Sequence, residues 1–448
     1  PKPQTPNPKP QTPNPKFIGV QTHHSFMEIR PTPTSSQQQP SPTEYPLQTP
    51  LDGSALLAYY RAQPKEISLQ NTPLPKFGGE LIDAKIKNKR TEEERYLRDD
   101  VLRDRLRRGN SLFRRLESGS NKLAGITVCR KGLPKFFDLR TVHLNHLSGK
   151  VVGGAWKEVS ADVRLEYRVC MGYCEEALKR NESIRVYQLE KANGENAQVN
   201  YIPEIDAWLV SSKNVAVVFR EEADLSMYEG ARFDYSIPIA KAWLNTIKEL
   251  GDTQKVQAVK ELLTQYSGVG EYCGNPAMVH FIKYKKEEVI FYALVPKGPS
   301  KTPICLPPSE AIPLIKKVGL AAVTMSVSPE LKSVAEFCTY FEELSLKIAF
   351  STLTELGEGA VVYFTSSLPN SPKQEEKVIG LGKLKTVEYR IFRKLREKLK
   401  SLVEKIPFYA IKGSPVHESP LGLFNLAEDG AILEDDYNIP RRYLNTIM

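Results

Sequence analysis

A lysine followed at once by a tight turn, Lys191-Ala192-Asn193-Gly194-Glu195, is the first place in the chain where covalent chemistry could be housed. A lysine acts as a nucleophile only when its amine is unprotonated near neutral pH, and burial beside other cations lowers its pKa far enough to supply that state. Gly194 lets the backbone turn and lets a ligand come close. A Lys-x-x-Gly string occurs by chance in many proteins, so its weight comes from the ordered set of residues downstream. Lys213 ends the run Trp208-Leu209-Val210-Ser211-Ser212-Lys213. Glu271 sits in Gly270-Glu271-Tyr272-Cys273-Gly274-Asn275-Pro276, and Glu358 in Gly357-Glu358-Gly359 ahead of a β-branched run. Lys383 and Lys385, two apart on a strand, project to one side as a paired cationic clamp. Phosphoryl-type transfer is catalysed mainly by positioning and by neutralising charge that builds on oxygens. Several lysines with a Mg²⁺ held by one or two carboxylates are the apparatus it needs.

Elements of two periods must carry these residues. Between residues 184 and 220 the runs IRVYQLEK, AQVNYI, AWLVSS and VAVVFR alternate or are β-branched, which predicts an antiparallel sheet with Lys191 just after its first strand. A helical pair is expected over 239–266, strands at VHFIKY (279–284) and EVIFYALV (288–295), and a helix over 329–350. The last strands are GAVVYF and KVIGLGKLK, and a basic helix over 387–404 comes directly after them. That helix carries Arg390, Arg393, Lys394, Arg396, Lys398 and Lys400, either an RNA-positioning surface or a solvated face. Residues 83–117 are densely charged, with Leu97, Leu102, Leu106, Leu112 and Leu116 at helical intervals. They predict a solvated helix pair whose arginines, Arg103 to Arg115, are alternatively an RNA-backbone surface.

The organisation expected from this pattern is a tail over 1–50, a charged helical segment over 51–120, a catalytic domain over 121–386, and a basic helix with an extension over 387–448. The tail opens on the tandem repeat Pro-Lys-Pro-Gln-Thr-Pro-Asn and stays rich in Pro, Ser, Thr and Gln, too poor in apolar surface to fold alone. It has no apolar h-region and so does not read as a secretory signal. The composition, 41% hydrophobic and 26% charged over 448 residues, is that of a globular protein rather than a fibrous one. No run of eighteen apolar residues encodes a membrane span. The six cysteines are scattered, which points to a reducing intracellular compartment, cytoplasm or nucleus with an organelle left open. Cys170 and Cys174 suit one helix face better than a zinc knuckle. The net charge of +9 suits a polyanionic partner without requiring one.

In the order and spacing of these motifs the chain resembles the covalent nucleotidyltransferases (RNA ligases, DNA ligases and capping enzymes), and most closely the ATP-dependent RNA ligases of the phage RNA ligase 1 type. The likeness runs from about Lys131 to Lys385. Its branch-specific part is Lys131-Gly132-Leu133-Pro134-Lys135-Phe136-Phe137-Asp138-Leu139, similar to the Gly-x-Pro-Lys-Phe-Phe-Asn-Leu segment that precedes the nucleophile in those ligases. Taken by themselves, Phe136 and Phe137 also read as core and Lys135 as solvated. The resemblance implies an α+β nucleotidyltransferase fold of antiparallel sheets flanked by helices. It implies that Lys191 attacks the α-phosphate of ATP, that Glu190 faces the adenine, and that Asn193 and Gly194 lie near the ribose or the substrate end. Lys213 falls at a phosphate or ribose contact, Glu271 at the ribose-binding carboxylate and Glu358 at the metal ligand. Lys383 and Lys385 grip the triphosphate, and Lys135, with Arg130 as the weaker candidate, approaches the γ-phosphate. The sequence departs from the family in Asn193, where Asp is more frequent, and in Glu195, where Ser or Thr is usual. Residues 285–351 hold no family motif. About sixty residues follow Lys385, too few for the OB-fold of capping enzymes and DNA ligases.

The activity implied is the joining of RNA 5′-phosphate and 3′-hydroxyl ends through lysyl-AMP and adenylated RNA, using ATP and Mg²⁺, in RNA repair or splicing, with tRNA among the expected substrates. The alternative is a ligase-derived structural or RNA-binding subunit of a ribonucleoprotein with little catalysis. No Gly-x-x-x-x-Gly-Lys-Ser/Thr loop is present, so healing of 5′ ends would fall to a kinase or phosphatase partner.

Overall fold

The structure, a computed structural model, describes residues 51–87, 92–117, 122–139, 172–275, 282, 284–298, 304–368 and 375–405. The first strands, β1 (Ile67–Leu74), β2 (Gly79–Ile86), β3 (Asn110–Leu116) and β4 (Leu123–Arg130), form an antiparallel sheet in chain order. Helices α1 (Gly53–Arg61), α2 (Glu92–Arg98) and α3 (Asp100–Arg105) accompany it. A second sheet has the order β11-β10-β7-β8-β9, from β7 (Glu195–Ile202), β8 (Ala207–Ser211), β9 (Ala216–Phe219), β10 (Tyr266–Cys273) and β11 (Glu288–Pro296). A third has the order β12-β6-β13-β14-β5, from β5 (Phe137–Asp138), β6 (Ser183–Glu190), β12 (Met325–Val327), β13 (Gly359–Ser367) and β14 (Lys377–Lys385). Helices α4 (Tyr173–Lys179), α5 (Ser236–Leu250), α6 (Thr253–Gln265), α7 (Pro308–Lys317), α8 (Val334–Phe350), α9 (Leu353–Leu356) and α10 (Val387–Lys405) complete the described chain. The fold is α+β, antiparallel sheets flanked by helices. Among these strands only β5 joins its neighbour, β14, in parallel.

The second and third sheets meet through one face of each, and the period of two in β6 and β13 shows how. Tyr187, Leu189, Val361 and Tyr363 enter the cluster that holds Trp208, Trp243 and Phe291. Their neighbours Ile184, Val186, Val362 and Phe364 turn the other way, onto Phe337, Phe341 and Ile348 of α8. A strand buried on both faces reads as a continuous apolar run, as GAVVYF does, whereas in IRVYQLEK the half-buried Arg185 and Gln188 interrupt the apolar residues. The Tyr363 hydroxyl donates to the carbonyl of Tyr292 at 3.2 Å, and Phe136 packs edge-on against both rings. Helix α8 is started by Ser333, whose hydroxyl accepts from the Glu336 amide at 3.2 Å.

Two expectations change. The strands of 184–220 exist, but they belong to two sheets: β6 pairs with β12 and β13, whereas β7, β8 and β9 pair with one another and with β10. The break falls at Lys191, where the chain leaves one sheet for the other. The segment 51–120 is strand as much as helix, with β1, β2 and β3 beside α1, α2 and α3, and β3 pairs with β4 across its proposed end. The leucine stripe still reaches a core, because Leu102 and Leu106 on and after α3 and Leu112 on β3 are all buried. A strand replaces the second expected helix because residues 110–116 bury Leu112 on one face and Phe113 on the other. Nor are the arginines a solvated row. Arg103 donates to the Tyr96 carbonyl and pairs with Asp100, each at 2.7 Å, and Arg107 donates to the Ile304 carbonyl at 2.7 Å. The helical pair over 239–266, the helix over 329–350 and the basic helix appear as α5 with α6, α8 and α10. Most of the strand expected at 279–284 lies outside the described residues, as do the tail over 1–50, Cys170, the N-terminal side of α4 and residues 406–448. The other five cysteines are free thiols. Among the described residues no helix is long and apolar enough to cross a membrane.

A buried charge helps tie the N-terminal sheet to the second. Asp83, fully buried, pairs with Arg130 at 3.2 Å and with Arg232 at 3.1 Å, and accepts from the amide of Ala216 at 3.2 Å. Removing one partner of a buried ion pair strands the other, at a cost of about 3–5 kcal/mol. Asp83→Ala should therefore lower the denaturant midpoint by that order of free energy with little change in the slope of the transition. A midpoint equal to the wild type would show that water already screens Arg130.

Candidate functional site: a lysine-lined cavity where two sheets meet

Three adjacent strands end side by side and bring their terminal residues together. Lys191 follows β6, and its amide donates to the Gly359 carbonyl at 3.1 Å. Glu358 precedes β13. Lys385 is the residue of β14 paired with Gly359, and the amide of Thr386, the next residue, donates to the Glu358 carbonyl at 3.3 Å. Residues far apart in the chain are thus made neighbours by strand register alone. Lys191 Nζ lies 2.8 Å from Glu358 Oε2, and Lys385 Nζ lies 2.5 Å from Oε1. The carboxylate is buried and is shared by the two amines. Asn193 Nδ2 donates to it as well, at 3.1 Å.

The remaining residues close around a cavity of about 180 Å³, lined by Glu190, Lys191, Lys213, Glu271, Lys383 and Arg108, with Asn196, Gln198, Tyr292 and Phe136 among its walls. Glu271 comes from β10 of the second sheet and Lys383 from β14 of the third, paired with Asp138 of β5. Lys135 is buried in the segment leading into β5, its amine 5.4 Å from the Phe137 ring centroid. Lys213 pairs with Glu92 at 3.0 Å. Glu190, exposed, accepts from the Thr324 hydroxyl at 3.2 Å. Gly194 has a steric reason: a Cβ there would stand 2.3 Å from the Tyr272 carbonyl oxygen, so the turn after Lys191 can lie against β10 only with glycine. Every expected site residue except Arg130 is on or beside this cavity. Arg130 is consumed by Asp83, Ser111 and the Ser212 carbonyl, and is corrected to a structural residue.

The electrostatics differ from the expectation in one respect. Burial by itself pushes the Lys191 amine down, but the carboxylates of Glu358 and Glu271 outweigh it, and the amine stands above the ordinary lysine value. Glu358 shows the complement. Burial raises it, the two lysines pull it lower, and its carboxyl ends below the usual range. The pair is ionic, so Lys191 is held as ammonium rather than as a free amine. The expected lowering occurs two strands away: burial, with Lys135 and Lys385 nearby, brings Lys383 down to about 8. Burial also pushes Glu271 up to about 8, which leaves Glu358 as the counter-ion of Lys191 at neutral pH.

The donor set suits a phosphorylated ligand. Cations line the walls, and the buried Asn193 Oδ1 has no hydrogen-bond partner among the described residues, which leaves room for a donor from a bound molecule. Among the described residues no three His, Cys, Asp or Glu gather as a metal-binding group. A hard divalent ion needs only one or two carboxylates beside its waters, and Glu358, ionised at neutral pH, would provide one. The sequence does not single out Arg108, which is submerged in a basic cluster. Its signal is Gly132, whose Cβ would meet the Arg108 carbonyl at 1.7 Å and whose segment therefore clamps Arg108 against the cavity.

The comparisons with known proteins divide along the chain. A family model described as the PrkA AAA domain matches residues 393–448, which begin inside α10 and run mostly outside the described residues. The serine/threonine kinase YeaG of Escherichia coli strain K12 is 52% identical over 58 residues, 12% of this chain and 9% of that kinase. The YeaG of strain O157:H7 matches to the same extent. The chain thus spans less than a tenth of the curated relatives it matches. Among solved structures, an archaeal ATP-dependent RNA ligase is similar at a TM-score of 0.39 and 13% identity, over 84% of this chain and 73% of that one. A putative ATP-dependent DNA ligase from Aquifex aeolicus reaches 0.37 at 14%, over 80% and 68%, and a Naegleria gruberi RNA ligase 0.32 at 12%, over 73% and 97%. Likenesses this loose carry no argument, and the functional reading rests on the site.

The raised Glu271 gives a test of the site's burial. A carboxyl that binds its proton more tightly folded than unfolded contributes stability that is complete below about pH 4.3 and is lost as pH rises through 8. Glu271→Gln keeps the neutral form at every pH. Wild type and variant should melt together near pH 4, and the wild type should melt progressively lower than the variant from about pH 5 to about pH 8. A constant difference across that range would place Glu271 in contact with water.

Proposed function

We propose that the chain is an ATP-dependent nucleotidyltransferase that forms lysyl-AMP on Lys191 and acts as an RNA ligase. The observation that carries this reading is the convergence of Lys191, Glu358 and Lys385 from three neighbouring strands, with Lys191 also lining a cavity shared with Lys213, Lys383 and Glu271. Lysine, glutamate and lysine in that sequence order are what the resemblance to RNA ligases implies, and their closeness in space supports the reading.

In this reading the polyphosphate of ATP lies along Lys383, Lys385, Lys135 and Lys213, and the nucleoside sits toward Glu190 and Asn193. Lys191 must first lose the proton that Glu358 holds in place. Glu358 would hold a Mg²⁺, which would supply positive charge for the leaving pyrophosphate; with Lys385 drawn to phosphate oxygens and Glu358 so engaged, the Lys191 ammonium would lack its counter-ion and its pKa would fall. The neutral Nζ then bonds to the α-phosphorus, the bond from that phosphorus to the bridging oxygen breaks, pyrophosphate departs and the amine proton passes to solvent. The adenylyl group next moves to an RNA 5′-phosphate, and a 3′-hydroxyl displaces AMP to join the ends. Glu271, neutral near pH 7, is suited to donate a hydrogen bond as well as to accept one.

One observation favours the second reading, a ligase-derived RNA-binding subunit with little catalysis. The nucleophile is clamped as ammonium by a buried carboxylate. The two part in a single experiment, incubation of protein cleared of bound AMP with Mg²⁺ and α-labelled ATP or GTP. Label from ATP should survive denaturing electrophoresis in the wild type, vanish in Lys191→Ala, and fall about a hundredfold or more in Lys385→Ala, as expected when a preorganised charge-stabilising donor is removed. Absence of label from either nucleotide would favour the non-catalytic reading.

A further inference from the structure

The two cations at the side of the cavity nearest the N-terminal sheet share one carboxylate that comes from outside the lining. Glu92, the first residue of α2, lies 3.3 Å from Arg108 Nε through Oε1 and 3.0 Å from Lys213 Nζ through Oε2. Its side chain is 15% exposed, less than those of Arg108 at 29% and Lys213 at 39%. The carboxylate is therefore the more desolvated party and depends on both cations, while each cation keeps an open side toward the cavity. The helix that carries it is fixed, since Tyr96 is buried and Arg95 pairs with Glu66 at 2.7 Å.

We propose that Glu92 is a built-in competitor of the polyphosphate, an autoinhibitory contact that must release Arg108 and Lys213 before a polyanion can take them. It rests on the proposed function only in taking the ligand to be a polyphosphate. A carboxylate between two cations meets the same charges that two phosphate oxygens would meet, hydrogen-bonding Lys213 and pairing with Arg108 by charge alone. A triphosphate brings several charges to one carboxylate's single charge, so it displaces Glu92, but its affinity is lowered by the cost of doing so. Glu358 cannot play this part for Arg108 and Lys213, because Lys191, Lys385 and Asn193 already engage both its oxygens.

The test is calorimetric titration of inorganic tripolyphosphate into the full chain, for the wild type, Glu92→Gln and Glu66→Gln. Glu92→Gln should bind tripolyphosphate roughly five- to tenfold more tightly, the scale of an ion pair worth about 1 kcal/mol, and the gain should shrink as salt is added. Glu66→Gln, which disturbs the same helix without freeing the cavity cations, should bind as the wild type does. If Glu92→Gln fails to fold, Glu92→Asp, too short to span both cations, should show a smaller tightening. Unchanged or weaker binding in the Glu92 variants, or no binding of tripolyphosphate by any of the proteins, would overturn the proposal. Tightened binding by a protein that never labels with ATP would leave the competitor standing and remove the ligase reading.

Discussion

Lysines that wait for a phosphorylated ligand repel one another until it arrives, and the folded chain must tolerate them meanwhile. At close range two like charges cost several kcal/mol unless water or a counter-charge intervenes, and the end of a sheet packed on another sheet offers little water. Glu358 resolves this at the deepest point by lying between Lys191 and Lys385. Toward the surface, Glu92 does the same for Arg108 and Lys213, and Asp138 offsets the repulsion around Lys383. The site is thus neutralised from within by its own carboxylates, and its chemistry begins by exchanging partners.

That arrangement depends on the two sheets meeting. Strands β6, β13 and β14 set the order lysine, glutamate, lysine by register, which only works if their apolar faces are held by α8 on one side and by the second sheet on the other. The second sheet adds Glu271 from the opposite wall, and the turn at Gly194 lets the chain cross between sheets against the Tyr272 carbonyl. The N-terminal sheet, tied in through Asp83, brings Glu92 and Arg108. Removing any of the three sheets would leave charges without partners.

Much of this was legible in the residues. Continuous or alternating apolar runs marked β6 to β9, β13 and β14, because burial on one or both faces writes itself into a period of two. Lys191, Lys213, Glu271, Glu358, Lys383 and Lys385 were found because each stands in or at the end of a strand-like run, most with glycine or a turn beside it. Three things were not legible. Sheet membership was hidden, since nothing in IRVYQLEK says that it pairs with GAVVYF rather than with AQVNYI. The charged run of residues 83–117 disguised a strand, because β3 carries Arg114 and Arg115 yet buries Leu112 and Phe113 on opposite faces. The direction of the Lys191 shift depended on its contact with Glu358, far along the chain, which local composition cannot report.

The most direct test of the internal counter-ion is the basicity of Lys191 with and without Glu358. Competitive labelling of the amines with acetic anhydride, from near neutral pH to well above the ordinary lysine value and read by peptide mass spectrometry, gives the titration of Lys191 in the wild type and in Glu358→Gln. Lys191 should titrate above an ordinary lysine in the wild type and lower in the variant, where burial and Lys385 are opposed by Glu271 without Glu358. Identical titration in the two proteins would contradict the account, because Glu358 would then not hold the charge on which the site is built.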